Sequence, residues 1–337
     1  MDRCACLIFG YYLHYLDHLA PLAHLLNIPL IISDLKIAAL AKTYYPMVEL
    51  ILCEDPEAIV LNYDTLIVCT PRDLFDLSFF LPQQLLKKRV ATIWCPHGNS
   101  DKGQFSLFME GLKNEEYAFL YGEKMVDFFK QKNVFGQLKA YSLIGNYRYT
   151  FYKKHQAFYD ALVPKDSFIF YAPTWQDVEK STSYFDALPH LLSLPEHLSL
   201  VIKPHPNLPA QKINRPNTLV LTDFPPIYPL LNRLDIYIGD MSSIGYDCLA
   251  FDKPMFFLNQ NNREGLYLFG CGVEIKKNQY AEIGSLIQNH RRDTYVLERK
   301  KAYDYTFGPE LSWEETINRC KAVLQKVRMC TQFDVCT

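Results

Sequence analysis

No two cysteines in the 337 residues stand at CxxC spacing, and no Cys/His cluster has the ligand spacing of a zinc site. The ten cysteines lie mostly in apolar segments, so buried reduced thiols are expected, and with them a cytoplasmic protein. An excess of charge is also missing: 35 basic residues face 37 acidic ones, for a net charge of -2. That balance excludes the basic footprint of a general nucleic-acid binder. Apolar runs long enough to span a bilayer are absent, since the material at Leu19 to Leu26 is interrupted by Pro21 and His24. The N-terminal run breaks at Tyr11 to His18 and reads as a buried first strand, not a signal peptide. There is no internal repeat, no low-complexity tract and no Walker-type glycine loop ending in Gly-Lys-Ser/Thr.

What the chain does have is core-forming material. Hydrophobic residues make up 49 % and aromatics 14 %, enough for two ordinary domains. Short apolar runs alternate with helical spacing almost throughout. "CLIFG", "IPLIIS", "VELILC", "DTLIVCT", "RVATIWC", "YAFLYG" and "KAYSLIG" read as strands. After the aromatic stretch "YRYTFYKKHQAFYDALVP" the rhythm restarts with "SFIFYAP", "LSLVIKP", "NTLVLTD", "LDIYIGD" and "PMFFLN". Continuous Ile/Leu/Val character fits parallel strands covered on both faces, joined in βαβ order. The expected class is therefore α/β, as two doubly wound domains, residues 1–147 and 148–337, with a hinge between about Gly145 and Pro164. A helical segment from Trp313 to Val327 follows both and is free to pack back on the first domain.

In open parallel sheets, ligands gather beyond the carboxyl ends of strands, so residues just after strands carry most information. "IWCPHGNSDKG" places His97, Gly98 and Lys102 there. A histidine in that position can serve as a base near neutral pH, though a turn-capping loop histidine is the simpler account of this string alone. "VIKPHPNL" holds Lys203 and His205 between two prolines that stiffen the backbone. Such a pair suits a phosphate oxygen, and an ordinary Pro-rich turn explains it equally well. "FIFYAPTWQD" brings Thr174 and Trp175 to the end of a strand. "LDIYIGDMSSIGYDCLAF" runs from a strand through Asp240, Ser242 and Ser243 into a helix carrying Asp247. A lone serine there is usually a cap, whereas two after a parallel strand favour an anion at the helix mouth.

Together these strings resemble the CDP-glycerol:polyol glycerophosphotransferase family, the teichoic-acid primases and polymerases. The resemblance rests on His97, Gly98 and Lys102; on Gly145, Asn146 and Arg148; and on Tyr171 to Trp175. It continues through Lys203, His205 and Pro206, and ends with Asp240, Ser242, Ser243 and Asp247. It implies a GT-B architecture of two Rossmann-like domains facing a cleft. It also implies transfer of glycerol phosphate, or a related alcohol phosphate, from a CDP-activated donor to a hydroxyl of a cell-envelope glycan or lipid-linked acceptor. CMP is released, with no cofactor and no obligatory metal. On that resemblance His97 and His205 are the catalytic residues. Lys203, Ser242, Ser243, Asp247, Thr174 and Arg148 hold the donor, and Gly98, Lys102, Asn146 and Asp240 support them.

The chain departs from the family pattern in places. Cys95 and Pro96 precede His97 where the family has Trp, and Gln176 follows "PTW" where Arg is usual. Tyr147 and Thr150 replace a common Pro and Asp. Three rival readings keep the fold: a transferase using CMP-sugars such as Kdo or sialic acid, a UDP-sugar 2-epimerase, and a catalytically silent binding protein. The expected place is the cytoplasm, with peripheral contact at the inner face of the cell membrane left open. The sequence assigns no oligomeric state.

Overall fold

The computed structural model describes residues 3–101, 111–176, 180–209, 211–289 and 293–333. The chain divides into two compact units. The first comprises Met1–His97, Ser106–Lys154 and Tyr305–Thr337, and the second Gly98–Phe105 and His155–Asp304.

In the first unit seven strands form one parallel sheet: β1 (Cys4–Ile8), β2 (Leu30–Ile32), β3 (Leu50–Leu52), β4 (Thr65–Val68), β5 (Ala91–Trp94), β6 (Tyr117–Leu120) and β7 (Ala140–Leu143). Their order is β3-β2-β1-β4-β5-β6-β7. The central strands β1, β4 and β6 are buried at every position, as their unbroken apolar sequences require. Edge strands β3 and β7 are partly open. One face packs Ile59, Phe75 and Phe79 against Ala5, Leu7, Leu66 and Val68. The helix Leu16–Leu26 is buried on nearly every side and carries Asp17 and His18 into the interior. The helix Trp313–Phe333 packs on β7, β6 and the helices Leu16–Leu26 and Tyr147–Lys154. Lys154 lies 3.9 Å above the Trp313 ring, Lys153 pairs with Glu310, and Arg319 donates to the Leu143 carbonyl at 2.7 Å. These contacts hold residues 147–154 and the terminal helix in the first unit, where sequence reasoning had drawn the division at 147/148.

The second unit is also a parallel sheet, of six strands: β8 (Ile169–Ala172), β9 (Leu200–Ile202), β10 (Thr218–Val220), β11 (Ile236–Gly239), β12 (Met255–Asn259) and β13 (Val273–Lys276). The order is β10-β9-β8-β11-β12-β13. Tyr171, Tyr184, Leu188, Ile202, Ile238 and Phe256 meet in its core. All twelve strands read from the sequence are present. The thirteenth, "VEIK", pairs with β12 among the described residues, and its alternating Glu and Lys positions are exposed. Both sheets are parallel throughout and wound in both directions from a central pair, so the fold is α/β of GT-B type.

Candidate active site

The strand order of each sheet reverses its progression at one point, and a crevice opens there beyond the strand ends. In the second sheet this point lies between β8 and β11. The chain leaves β8 into Thr174 and Trp175 and leaves β11 into Asp240, Ser242 and Ser243. Next to β8, β9 ends at Lys203 and His205. Four of the five strings singled out in the sequence concern this unit, and three of them converge on these neighbouring strand ends.

Asp240 is the keystone of the crevice. It is fully buried, and its carboxylate accepts from Thr174 N at 2.7 Å, Ser183 N at 2.8 Å and Ser183 Oγ at 2.8 Å. Ser183 also meets the Tyr171 hydroxyl at 2.8 Å, while Thr182 Oγ1 donates to the Thr174 carbonyl at 2.7 Å. One carboxylate thus ties the β8 loop, the β11 loop and the start of the helix Tyr184–Leu192 together. Burial, with the Asp240 charge second, holds the Tyr171 hydroxyl well above its ordinary pKa, so it stays neutral. Thr182 and Ser183 escaped the sequence reading because they follow a polar loop with no strand directly before them.

The two serines sit on a shorter helix than the sequence implied. The α-helix covers only Ile244–Cys248 and tightens to a 3-10 turn over Leu249–Phe251. Its dipole is correspondingly small, so anion binding here must rest on hydroxyls and backbone N–H groups. Ser243 makes no capping hydrogen bond, and Ser242 Oγ accepts from Ile244 N only at 3.4 Å. Capping therefore does not explain the pair. Asp247 is buried and accepts from the Tyr228 hydroxyl at 3.0 Å.

His205 is half-buried, and its Nδ1 accepts from Asn207 N at 3.2 Å. That bond puts the proton of the neutral ring on Nε2. The partly exposed Trp175 ring lies 6.2 Å from the imidazole, linking the β8 and β9 loops. Lys203 N extends the β8–β9 pairing by donating to the Tyr171 carbonyl at 2.9 Å.

Gly98 belongs to this unit, although His97 belongs to the first. Its φ is +124°, and a Cβ there would stand 2.6 Å from Ser243 Cβ and 2.9 Å from Ser243 Oγ. The segment is pinned by Asp101, which binds the Tyr246 hydroxyl and accepts from Leu268 N at 2.9 Å. Gly98→Ala combines backbone strain with a collision and is expected to cost about 2–4 kcal/mol. A urea titration checks it; a midpoint equal to that of the parent would refute the contact. Lys102 lies outside the described residues.

The first unit holds His97, Asn146 and Arg148. His97 is half-buried, with the His14 ring 5.2 Å, Tyr15 5.3 Å and His18 6.5 Å away, centroid to centroid. Tyr121 donates its hydroxyl proton to the Pro96 carbonyl at 3.1 Å and receives the Nδ1–H of His18 at 2.7 Å. This short chain steadies the peptide that carries His97. Asn146 caps the helix Tyr147–Lys154, accepting from Tyr149 N at 3.2 Å. Arg148 is buried, donating from Nε to the Asp17 carbonyl at 2.9 Å and pairing with the Asp17 carboxylate. The Gly-Asn-x-Arg string is thus a turn, a cap and a brace. Asp17, His14 and His18 were missed because their helical stretch reads as an ordinary amphipathic segment. Among the described residues no group of three or more His, Cys, Asp or Glu side chains is arranged to hold a metal ion. The nine described cysteines are free, and burial pushes the Cys95 thiol up to about 12, leaving it unreactive.

Burial, reinforced by the Arg148, His97 and His14 charges, holds His18 well below the usual histidine range. The unfolded chain protonates this ring near pH 6.5, while the folded chain refuses the proton. Stability from His18 is therefore full above about pH 6.5 and is lost as pH falls through that value. The half-buried His24 acts in the same direction. His18→Gln is expected to flatten the decline in urea midpoint between about pH 7 and 5. An unchanged slope would show that His18 takes no part.

Residues 146–267 match the family model described as CDP-Glycerol:Poly(glycerophosphate) glycerophosphotransferase. That span contains every candidate residue from Asn146 to Asp247 but not His97, Gly98 or Lys102. No curated protein matches the chain. Among solved structures, the wall teichoic acid polymerase TagF superposes with a TM-score of 0.66 at 15 % identity, covering 97 % of this chain and 90 % of that one. MnaA of S. aureus with UDP gives 0.63 at 12 %, covering 96 % and 97 %. UDP-GlcNAc 2-epimerase from Neisseria meningitidis bound to UDP-GlcNAc gives 0.59 at 11 %, covering 97 % and 100 %. At such identities the likeness is one of fold. The chain is therefore similar to the CDP-glycerol:poly(glycerophosphate) glycerophosphotransferase family over residues 146–267 and carries a GT-B-like fold.

Proposed function

We propose that the protein transfers glycerol phosphate, or a related alcohol phosphate, from a CDP-activated donor to an acceptor hydroxyl and releases CMP. The observation that carries this reading is the convergence of Thr174, Lys203, His205, Ser242 and Ser243 on the β8–β11 switch point, inside the family-matched span. A histidine variant of TagF soaked with CDPG supports the choice of donor.

In the reaction the acceptor oxygen attacks the phosphorus that bears glycerol, and the bond from that phosphorus to the CMP oxygen breaks. The acceptor loses a proton, and the departing CMP gains negative charge. Lys203 and the two serine hydroxyls neutralise and orient the diphosphate, with Thr174 beside them. The Nε2–H of His205 is the donor for the leaving phosphate oxygen, in the tautomer that Asn207 fixes. His97 takes the acceptor proton. Neutral His18 beside it adds no positive charge that would weaken the base. Asp240 and Asp247 act one layer back, holding loops and helix. Arg148, engaged by Asp17, braces the first unit, and we assign it no phosphate.

The test is CMP release from CDP-glycerol with cell-envelope extract as acceptor, alongside thermal shifts with CDP, CMP and UDP. CMP release with a phosphate-containing product supports the reading. Binding of CDP without CMP release from any extract leaves a silent binding protein. A sugar in the product without phosphate indicates the CMP-sugar chemistry. UDP stabilisation with UDP release from a UDP-sugar indicates the epimerase chemistry of the other fold relatives.

A further inference from the structure

The helix Arg72–Leu85 of the first unit has two apolar faces. Phe75 and Phe79 point inward to the core, as the sheet requires. On the other side Leu77, Leu81 and Leu85 are 79, 68 and 70 % exposed, with Leu74 and Phe80 also open. Leu74, Leu77, Leu81 and Leu85 follow three- and four-residue steps, so they form one ridge along the helix. Such a ridge is the element that interlocks with a second helix. A contiguous strip of large apolar side chains exceeds the scattered exposure normal for a surface.

Charge decides what covers it. A helix that lies on a lipid surface carries Lys and Arg along its polar flank. Here no basic residue occurs between Asp73 and Leu86, and the flank holds Asp73 and Asp76 instead. The basic residues come directly after the helix, as exposed Lys87 and Arg89 with the half-buried Lys88 between them. Asp76 is paired with the buried Arg72, Lys88 with Asp64 and Arg89 with Glu116, so the opposed charges are Asp73 at the start of the helix and Lys87 just past its end. Two copies paired antiparallel about a two-fold axis set each acidic start against the other's basic end. Asp73 accepts from Asn114 at 2.6 Å, which fixes its place at the start of the helix. Parallel pairing would oppose like charges.

We propose that the chain forms a symmetric dimer through the Leu74–Leu85 face of this helix, packed antiparallel on its copy. Sedimentation equilibrium of the full chain tests it. The wild type is expected at twice 39.2 kDa at micromolar concentrations, and Leu77→Asp/Leu81→Asp at 39.2 kDa. Because a seam variant can misfold, charge variants give the second readout. Asp73→Lys and Lys87→Asp are each expected to weaken the dimer about tenfold or more, and together to restore most of it. Circular dichroism of each variant shows whether the fold is kept. A wild type that is monomeric up to hundreds of micromolar overturns the proposal. So does a dimer that survives both the seam and the charge changes, since it must form elsewhere. Co-flotation of a monomeric wild type with anionic vesicles, lost in Leu77→Asp/Leu81→Asp, overturns it in favour of a lipid surface.

Discussion

His205→Ala is expected to lower CMP release from CDP-glycerol by about 10²–10⁴-fold while leaving CDP affinity within a few-fold. The imidazole stands at the carboxyl end of β9, stiffened by Pro204 and Pro206 and oriented through Nδ1 by the Asn207 amide. Nε2 is then the ring nitrogen that carries the proton for a departing phosphate oxygen. Losing it removes stabilisation of charge that exists mainly in the transition state, so turnover suffers more than binding. His97→Ala is expected to be comparably severe but to differ in its pH profile, because the acidic limb of the rate belongs to the base. Measuring initial rates from about pH 5.5 to 8.5 separates the two roles. A His205→Ala protein with near-normal rates would end the assignment. Rates unchanged in His97→Ala alone would move the base elsewhere and leave the donor site intact.

The second large effect concerns stability. Asp240→Ala strands three donors in the interior, namely Thr174 N, Ser183 N and Ser183 Oγ. At about 1–3 kcal/mol for each of the two buried backbone N–H groups, with the Ser183 hydroxyl able to rotate, the expected loss is about 2–6 kcal/mol. Asn in its place should recover little, because an amide NH₂ would face donors. The exposed Asp166→Ala is the control, within about 0.5 kcal/mol of the parent. Urea unfolding decides between the two classes. Should Asp240→Ala unfold at the parental midpoint, the carboxylate is not the tie between the β8 and β11 loops. Donor affinity is expected to fall with stability, since Thr174 and the two serines leave the same strands.

Much of this architecture could be read beforehand. Strand sequences such as "CLIFG" and "LDIYIG" are apolar at every position because both sheet faces are covered, so strand positions and parallel order were legible. "VEIK" was not, since an edge strand next to solvent needs no such run. At the candidate site, the sequence points to residues without separating their duties. Asp240 and Arg148 look like ligand groups in a motif, yet each is saturated by its own fold. A recurring polar residue reports that something depends on it, and buried loop closure depends on it as much as catalysis. The companions of His97 were invisible for another reason. His14, Tyr15 and His18 lie more than seventy residues earlier, and only the packing of a helix under the β5 loop joins them to it.

The way the chain is shared between the units bears on its synthesis. The helix Trp313–Phe333 covers β6 and β7, yet it is translated after the whole of the second sheet. A nascent chain that has completed β7 therefore has no partner for that surface while well over a hundred further residues are made. Segment 98–101 waits similarly, because its anchors Tyr246 and Leu268 come much later. The second unit has all its segments once Asp304 has been made, whereas the first cannot finish folding until the helix Trp313–Phe333 has emerged, so the unit begun first closes last. Genes cut at 154/155 should accordingly give two sticky halves, and co-expression of the pieces is the more promising route to a soluble product.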